Sequence, residues 1–283
     1  MKGKRIYWLF LLPSLCGVLL FFAVPFVFSL YYAVIDNMGS RQFIGLRHFI
    51  DTLQNSLFLS AGRNTLVFLL LSVTLSMVLS LLLALALRRL RRGRALAVSL
   101  LLLPMVVPSG TIVQFWRVLF DSNGLLCKLL LQMGFGHTWV VQNQWQMGII
   151  VVVFLWKNVS YNTVLFWSGL NWIPRNYYEQ MGLEGAGALQ QFRQVTWTYL
   201  GPTSFIVLLM SIVNSFKVFK EIQMLYGAYP PGGIYMLQHY MNNQFQSLNM
   251  QKLSSAAWLL FLVLGLLLAF LFRRQKRLTD LYE

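Results

Sequence analysis

Two groups of polar side chains interrupt long apolar stretches of this sequence. They are Lys157, Asn158 and Tyr161 in one stretch and Ser211, Asn214 and Ser215 in another. On a helix, Lys157 and Tyr161 share one face, and the second group recurs at helical spacing. Because an ionisable side chain in an apolar stretch is costly, it predicts a functional site. Amide, hydroxyl and aromatic groups suit the hydroxyls and faces of sugars, although the same groups also join helices to each other.

A glycine-rich polar segment, residues 173–196, has the pattern of a short helical hairpin. Pro174 ends an incoming helix, Asn176 is placed to cap a new one, and Glu179 follows three residues later, as in a capping box. Three glycines then permit a sharp bend before a second short helix at residues 189–196: Gly182, Gly185 and Gly187. The pattern predicts a helix–turn–helix elbow, and an amphipathic linker at the membrane surface is the alternative.

The composition places both features in a membrane protein. Of the 283 residues, 57% are hydrophobic and 11% are charged, whereas a soluble domain carries about 25% charged residues. So many apolar residues exclude a disordered chain, and so little polar surface argues against a nucleic-acid-binding protein. Two cysteines in this length rule out a disulfide scaffold.

Six apolar runs reach the length of roughly 20 residues that a membrane-spanning helix needs. They cover residues 6–34, 65–87, 95–120, 147–172, 202–219 and 254–272. The second run does not alternate apolar and polar residues as the strands of a membrane barrel do. The first run follows Lys2, Lys4 and Arg5, as in a signal peptide, but it is longer than a signal's apolar region. The expected fold is therefore an all-α membrane protein with six transmembrane helices.

Basic residues mark one side of the membrane in this arrangement. Of the 23 lysines and arginines, 14 lie before the first helix, after the second, after the fourth or after the sixth. Because cytoplasmic segments are enriched in Lys and Arg, both termini and the elbow are predicted to be cytoplasmic. A nucleic-acid patch is the alternative for the basic run 88–94, but two spans enclose that run and leave no room for a domain.

The elbow carries residues at a family-specific spacing. Glu179 is followed at the sixth position by Gly185 and then by Ala186, and Val195 stands ten residues after Gly185. This spacing resembles the EAA loop (Glu-Ala-Ala, three residues, Gly, nine residues, Ile-x-Leu-Pro) of the membrane subunits of bacterial binding-protein-dependent ABC importers. Four positions depart from that pattern, Gln180, Met181, Trp197 and Thr198, and Glu184 stands where the family usually has Asp. Several flanking residues are similar to the maltose-permease-like, sugar-permease branch of the family: Pro104, Pro108, Ile173-Pro174 and Phe192-Arg193.

The resemblance implies a type I ABC importer permease in the bacterial cell membrane. One transmembrane permease domain, residues 1–283, would carry the coupling loop at residues 173–200. That loop would dock on a cytoplasmic ATPase dimer through Tyr178, Glu179, Met181, Leu183, Gly185 and Ala186. A second permease subunit, an extracytoplasmic solute-binding protein and a sugar substrate complete the implied system.

Nucleotide binding is expected in a separate polypeptide. The chain has no Gly-x-x-x-x-Gly-Lys-Ser/Thr motif, so ATP and Mg²⁺ are expected in the partner ATPase and no cofactor in this chain. The chain is thus expected to be a transport subunit and not an enzyme. Three histidines fall in predicted outer loops without the spacing of metal ligands: His48, His137 and His239.

Two lysines near the polar groups have alternative interpretations. Lys157 either binds an acidic sugar or pairs with a carboxylate of the second permease. Lys217 either pairs with Glu221, four residues on, or reaches outward to the membrane surface. All eight acidic residues are expected in or at the edges of loops.

The expected function is carbohydrate import by alternating access. An amino acid, a polyamine or glycerol phosphate remains an alternative solute. An ion-coupled secondary carrier is a further alternative, but such proteins usually have buried carboxylates and internal repeats. Neither feature is visible in this sequence.

Overall fold

The computed structural model describes residues 2–37, 39–90, 92–120, 124, 128, 132 and 146–279. In chain order the α-helices are α1 (Lys2–Val18), α2 (Val24–Val34), α3 (Arg47–Gln54), α4 (Ser56–Arg89), α5 (Arg94–Val106), α6 (Ser109–Phe120), α7 (Gln146–Asn171), α8 (Arg175–Leu183), α9 (Ala188–Gln191), α10 (Trp197–Tyr199), α11 (Gly201–Lys217), α12 (Phe219–Tyr226), α13 (Leu237–Gln246) and α14 (Met250–Thr279). Two π-helical segments, Leu19–Ala23 and Phe192–Thr196, and a 3₁₀ turn, Gly232–Ile234, lie between them. The predicted outer loop 121–146, with His137, falls almost wholly outside the described residues.

Four helices in the described chain are long and apolar enough to cross a membrane: Phe10–Val34, Ser56–Arg89, Gln146–Asn171 and Met250–Gln275. The pair α5 and α6 makes a fifth if the two are counted as one span. The fifth predicted span, α11, has 17 residues. The all-α membrane fold is therefore confirmed, whereas the number of six spans and the cytoplasmic position of both termini stay predictions.

The third predicted span is not one straight helix, contrary to the sequence-based expectation. The axes of α5 and α6 differ by 97°. Val107 joins them in an extended conformation with φ −73° and ψ 127°. Pro108 follows it, and proline disfavours the α conformation of the preceding residue and has no N–H to continue the helical bonds. The apolar run predicted a membrane segment at residues 95–120, and Pro108 interrupts the helix within that segment.

The chain divides into two compact units. The first comprises residues 1–60 and 240–283. In it α2 packs on α14: the Phe26 and Trp258 ring centroids are 4.3 Å apart, and Trp258 Nε1 donates to Ser29 Oγ at 3.0 Å. The hydroxyls of Thr52 and Ser255 form a buried hydrogen bond of 2.8 Å between α3 and α14. The predicted single domain, residues 1–283, stays a prediction.

The second unit, residues 61–239, holds α4, α7 and α11 together through small and polar residues. Four small residues at four-residue spacing form a fully buried stripe on α4: Ser72, Ser76, Ser80 and Ala84. Small residues let membrane helices approach closely, and polar side chains then bond across the interface. Asn162 of α7 does this twice, because its amide nitrogen donates to Ser76 Oγ at 2.9 Å and to Ser211 Oγ of α11 at 2.8 Å.

Candidate functional site

A cavity of about 350 Å³ opens in the second unit, beside the middle of α7. Its volume falls at the lower end of the roughly 300–1,000 Å³ typical of small-molecule sites. Six polar or charged side chains line it: Lys157, Asn158, Tyr161, Asn214, Lys217 and Glu221. The other lining residues are apolar, among them Val153 and Met210. Apolar walls with a few converging polar groups are typical of a ligand site.

An ion pair crosses this cavity wall. Lys157 Nζ lies 3.1 Å from Glu221 Oε1, and their side chains are 35% and 7% exposed. The pairing of Lys217 with Glu221, one of the two alternatives that the sequence left for Lys217, is therefore not formed. An i, i+4 pair needs one continuous helix, whereas α11 ends at Lys217 and Glu221 belongs to α12. Lys217 donates instead to Asn214 Oδ1 at 3.1 Å.

The position of Glu221 differs from two other expectations. It is 5% exposed and lies inside a helix, so not every acidic residue of the chain lies in a loop. It gives Lys157 a carboxylate partner within the same chain, where the sequence left that partner to an acidic sugar or to the second permease.

The structure brings four of the six predicted pathway residues to the cavity: Lys157, Asn158, Tyr161 and Asn214. Ser211 and Ser215 do not line it. Ser211 is fully buried and bonds Asn162, while Ser215 Oγ donates to the Ile212 carbonyl at 2.7 Å. These two hydroxyls follow the alternative left open from the sequence, in which polar groups join or brace helices. Lys217 and Glu221 are the two polar cavity residues that the sequence did not assign to the pathway.

The elbow, residues 173–200, bends where glycine is required. Helix α8 ends in a Schellman motif: Ala186 N donates to Met181 O at 2.9 Å, and Gly185 N to Gly182 O at 3.1 Å. Gly185 has φ +79°, a left-handed conformation that costs little only for glycine. A Cβ at Gly185 would meet no atom within 4 Å, so conformation and not crowding selects glycine here.

The start of α8 differs from the prediction. Helix α8 begins at Arg175, and the residue before it, Pro174, makes no side-chain cap. Asn176 therefore lies inside the helix, where its Oδ1 accepts from the Tyr177 N–H at 3.1 Å. The predicted cap by Asn176 is wrong because Pro174, with φ −60° and ψ 138°, already provides the entry to the first turn.

One face of the elbow packs inward on the membrane helices. Tyr178 and Met181 are half-buried against a cluster that includes Ala84 of α4 and Phe166 of α7. The Tyr178 hydroxyl accepts from Arg88 Nη1 at 3.0 Å. The same hydroxyl lies 2.9 Å from Thr196 Oγ1 and can donate its own proton to that oxygen. The guanidinium of Arg88 also lies 4.8 Å from the ring centroid of Tyr178. The Tyr178 side chain, on the first arm of the elbow, therefore contacts both the end of α4 and Thr196 on the second arm.

The opposite face of the elbow is exposed. Leu183 is 90% exposed and Leu189 is 81% exposed, one on each side of the Gly185 bend. Glu179 is also exposed, and Ala186 is half-buried. The predicted docking residues therefore divide into an inward pair, Tyr178 and Met181, and outward ones. Leu189 was missed in the sequence, although a leucine in so polar a segment was the available signal.

Three ionisable groups outside the spans have shifted pKa values. A hydrogen bond with Tyr177, whose ring centroid is 5.0 Å away, raises the pKa of Tyr199, and burial raises the pKa of Tyr226. Burial lowers the pKa of His239 to about 4. His239 Nδ1 accepts from the Met236 N–H at 3.2 Å, which places the ring proton on Nε2. Within the described ranges, no cluster of three or more His, Cys, Asp or Glu could hold a metal ion.

Comparison with known proteins decides the family. Residues 55–280 match the family described as binding-protein-dependent transport system inner membrane component. The chain belongs to this family. The permease is thus a multi-pass inner-membrane component of a transport system that depends on a binding protein.

Individual relatives agree with this assignment. The sn-glycerol-3-phosphate transport system permease protein UgpA of Yersinia pestis is 30% identical over 213 residues, covering 74% of this permease and 72% of that protein. The probable ABC transporter permease protein y4oQ of Sinorhizobium fredii is 29% identical over 257 residues, covering 88% of this permease and 83% of that protein.

Solved structures agree on the fold. A chain of the bacterial ABC transporter involved in the import of the acidic polysaccharide alginate superposes with a TM-score of 0.83 at 21% identity, covering 98% of this permease and 96% of that chain. A chain of a bacterial alginate ABC transporter in complex with alginate pentasaccharide-bound periplasmic protein superposes with a TM-score of 0.82 at 21% identity. The expected ABC importer permease fold is confirmed.

Proposed function

We propose that this permease is the membrane-spanning subunit of an ATP-driven importer for a carbohydrate or a sugar-like polyol derivative. The observation that carries the proposal is the cavity beside α7, where amide, hydroxyl and aromatic groups from different helices converge on one apolar-walled space. Such groups hydrogen-bond solute hydroxyls while apolar walls cover the ring face. The names of two relatives, which mention sn-glycerol-3-phosphate and alginate, support a hydroxyl-rich solute.

The elbow is proposed as the docking site of a cytoplasmic ATPase dimer. Leu183 and Leu189 project from it as two exposed apolar side chains, and Glu179 adds a carboxylate able to meet an arginine of the ATPase. ATP and Mg²⁺ are bound by that partner, so the chain itself performs transport and no hydrolysis. A second permease subunit and an extracytoplasmic solute-binding protein complete the importer.

Alternating access would follow from the attachment of the elbow to the spans. Its inward residues, Tyr178 and Met181, pack against a cluster that contains residues of α4 and α7, and α7 also carries Lys157 and Asn158 of the cavity. A rigid-body movement of the elbow, driven by closure of the ATPase dimer, would therefore move one wall of the cavity.

The test is a strain of the source bacterium that lacks this gene and is complemented with the wild-type chain. Both strains are grown in a defined mixture of sugars, uronates, polyol phosphates, amino acids and polyamines, and each solute is quantified by mass spectrometry. We expect the complemented strain alone to deplete a carbohydrate or polyol derivative, and inactivation of the cognate ATPase to abolish that depletion. Chain-dependent depletion of only an amino acid or a polyamine, or of no solute, contradicts the proposal.

A further inference from the structure

We propose that the transported solute carries an anionic group and that this group binds Lys217 at the cavity wall. The inference rests on the proposed function and narrows its substrate class to uronates and phosphate esters. Their shared chemistry is a set of negatively charged oxygens next to hydroxyl groups.

The charged side chains that line the cavity do not balance. Among the described residues, three charged side chains line the cavity: Lys157 from α7, Lys217 from α11 and Glu221 from α12. The 3.1 Å pair between Lys157 and Glu221 neutralises two of them. One positive charge therefore remains, and Lys217 carries it. A cation facing a cavity in a membrane protein is stabilised by an anion that enters the cavity.

The ammonium of Lys217 donates to a neutral group of the chain. Its contact among the described residues is the neutral Oδ1 of Asn214 at 3.1 Å, which uses one of the three N–H donors of a lysine. Lys217 is exposed and lines the cavity, so its ammonium is accessible to a solute there. Hydrogen bonds from an ammonium to anionic oxygens are stronger than those to neutral oxygens.

The carboxylate of Glu221 restricts where the charged group of a solute can bind. Its Oε2 is buried and has no hydrogen-bond partner within the described part of the chain, although the residue lines the cavity. A buried acceptor without a partner is costly, and a solute hydroxyl in the cavity would supply the missing donor. Glu221 would repel a second anionic group at the same place. The wall therefore fits a solute with a hydroxyl near Glu221 and its charged group near Lys217.

The experiment uses the complemented deletion strain and matched sets of solutes. Each set contains a neutral sugar or polyol, its uronate and its phosphate ester, so that the carboxylate and phosphate sources are told apart. We expect chain-dependent depletion of uronates or phosphate esters and no depletion of the neutral member of the same set. Depletion of only neutral carbohydrates would overturn the charge assignment and leave the proposed function standing, whereas the absence of any carbohydrate among the depleted solutes counts against the proposed function itself.

Variants then test Lys217 directly. Lys217→Met should lower the uptake rate of the anionic solute by roughly tenfold or more, since a hydrogen bond to a charged group contributes about 1.5–3 kcal/mol. Lys217→Arg keeps the charge and should retain most of the uptake. Lys220→Met removes an exposed charge that does not line the cavity and should leave uptake unchanged. Equal uptake by Lys217→Met and Lys220→Met, at equal amounts of chain in the membrane, overturns the proposal.

Discussion

The ammonium of Lys157 lies 3.1 Å from Oε1 of Glu221, which joins the middle of α7 to α12. Removing Lys157 leaves the carboxylate of Glu221 without a counter-ion, and the side chain of Glu221 is only 7% exposed. Breaking a fully buried pair costs about 3–5 kcal/mol, and the 35% exposure of Lys157 reduces that figure. We therefore expect Lys157→Met to destabilise the chain by about 2 kcal/mol.

The double variant Lys157→Met with Glu221→Leu should recover most of this loss, because no unpaired charge is then left buried. Lys220→Met serves as the control for the loss of a lysine. The measurement is the temperature at which the detergent-solubilised transporter loses its folded fraction. A double variant no more stable than Lys157→Met would refute the pairing.

The Tyr178 hydroxyl links Arg88 at the end of α4 with Thr196 on the returning arm of the elbow. Tyr178→Phe keeps the ring packing but deletes both hydrogen bonds, each contributing about 1 kcal/mol. Because the elbow is then less firmly attached to α4, we expect less solute moved per ATP hydrolysed, with ATPase binding retained. The ratio of uptake to hydrolysis in proteoliposomes measures this. Tyr229→Phe, which removes the hydroxyl of a tyrosine that is 76% exposed and lies outside the elbow, is the control, and an unchanged ratio in Tyr178→Phe speaks against the link.

Leu183 and Met181 lie two residues apart on opposite faces of α8, so their replacement should have different effects. Leu183 is 90% exposed, and Leu183→Ser should weaken ATPase binding by roughly tenfold, the equivalent of losing one buried leucine. Met181 packs inward, so Met181→Ser should lower the thermal stability of the chain instead. Co-purification of the ATPase and a thermal unfolding curve distinguish the two effects. If both variants bind the ATPase like the wild type, the outward face is not the docking surface.

Gly185 and Gly187 provide a matched pair in the bend of the elbow. Gly185 has φ +79°, whereas Gly187 has φ −69°, and neither would bring a Cβ within 4 Å of another atom. Gly185→Ala should therefore cost about 1–2 kcal/mol and lower coupled uptake, while Gly187→Ala should be neutral. Gly185→Asn should be milder than Gly185→Ala, because asparagine tolerates the left-handed region. Equal uptake in the two alanine variants would mean that the backbone angle at Gly185 does not matter.

Because His239 is buried, we expect the stability of the folded chain to depend on pH. Burial holds its pKa at about 4, below the ordinary value of 6.5, so the unfolded chain binds a proton more readily than the folded chain. This contribution to stability is fully present above pH 6.5 and is lost as the pH falls towards 4. We expect the unfolding temperature of the wild type to drop over this window, and to drop less in His239→Gln. Parallel curves for the two proteins would assign the pH dependence to other groups.

Much of the fold follows from local sequence patterns. The predicted fourth span, residues 147–172, differs by one residue at each end from α7, because the apolar run and the helix share the same limits. The Gly185 bend was likewise predictable, since a glycine between two short polar helices marks a left-handed turn. The break at Pro108 was missed because hydropathy continues through the proline while the backbone does not.

The cavity was harder to predict because it depends on contacts distant in sequence. Glu221 and Lys157 are 64 residues apart, whereas the candidate partner that spacing suggested for Glu221 was Lys217, four residues away. Helix α11 ends at Lys217, and Glu221, which belongs to α12, pairs with Lys157 of α7. The serine stripe on α4 was visible as residues at four-residue spacing, but its partner, Asn162, could be identified only once the helices were packed.

The amide of Asn162 has a consequence for biosynthesis. Its two partners lie on either side of it in the chain, Ser76 before it and Ser211 49 residues after it. The ribosome delivers these three residues in that order, so α4 and α7 can close their hydrogen bond while α11 is still to be synthesised. The second N–H of the same amide can bond Ser211 only once α11 has been synthesised. Helix α11 can then pack against α4 and α7 after a hydrogen bond has already joined these two helices.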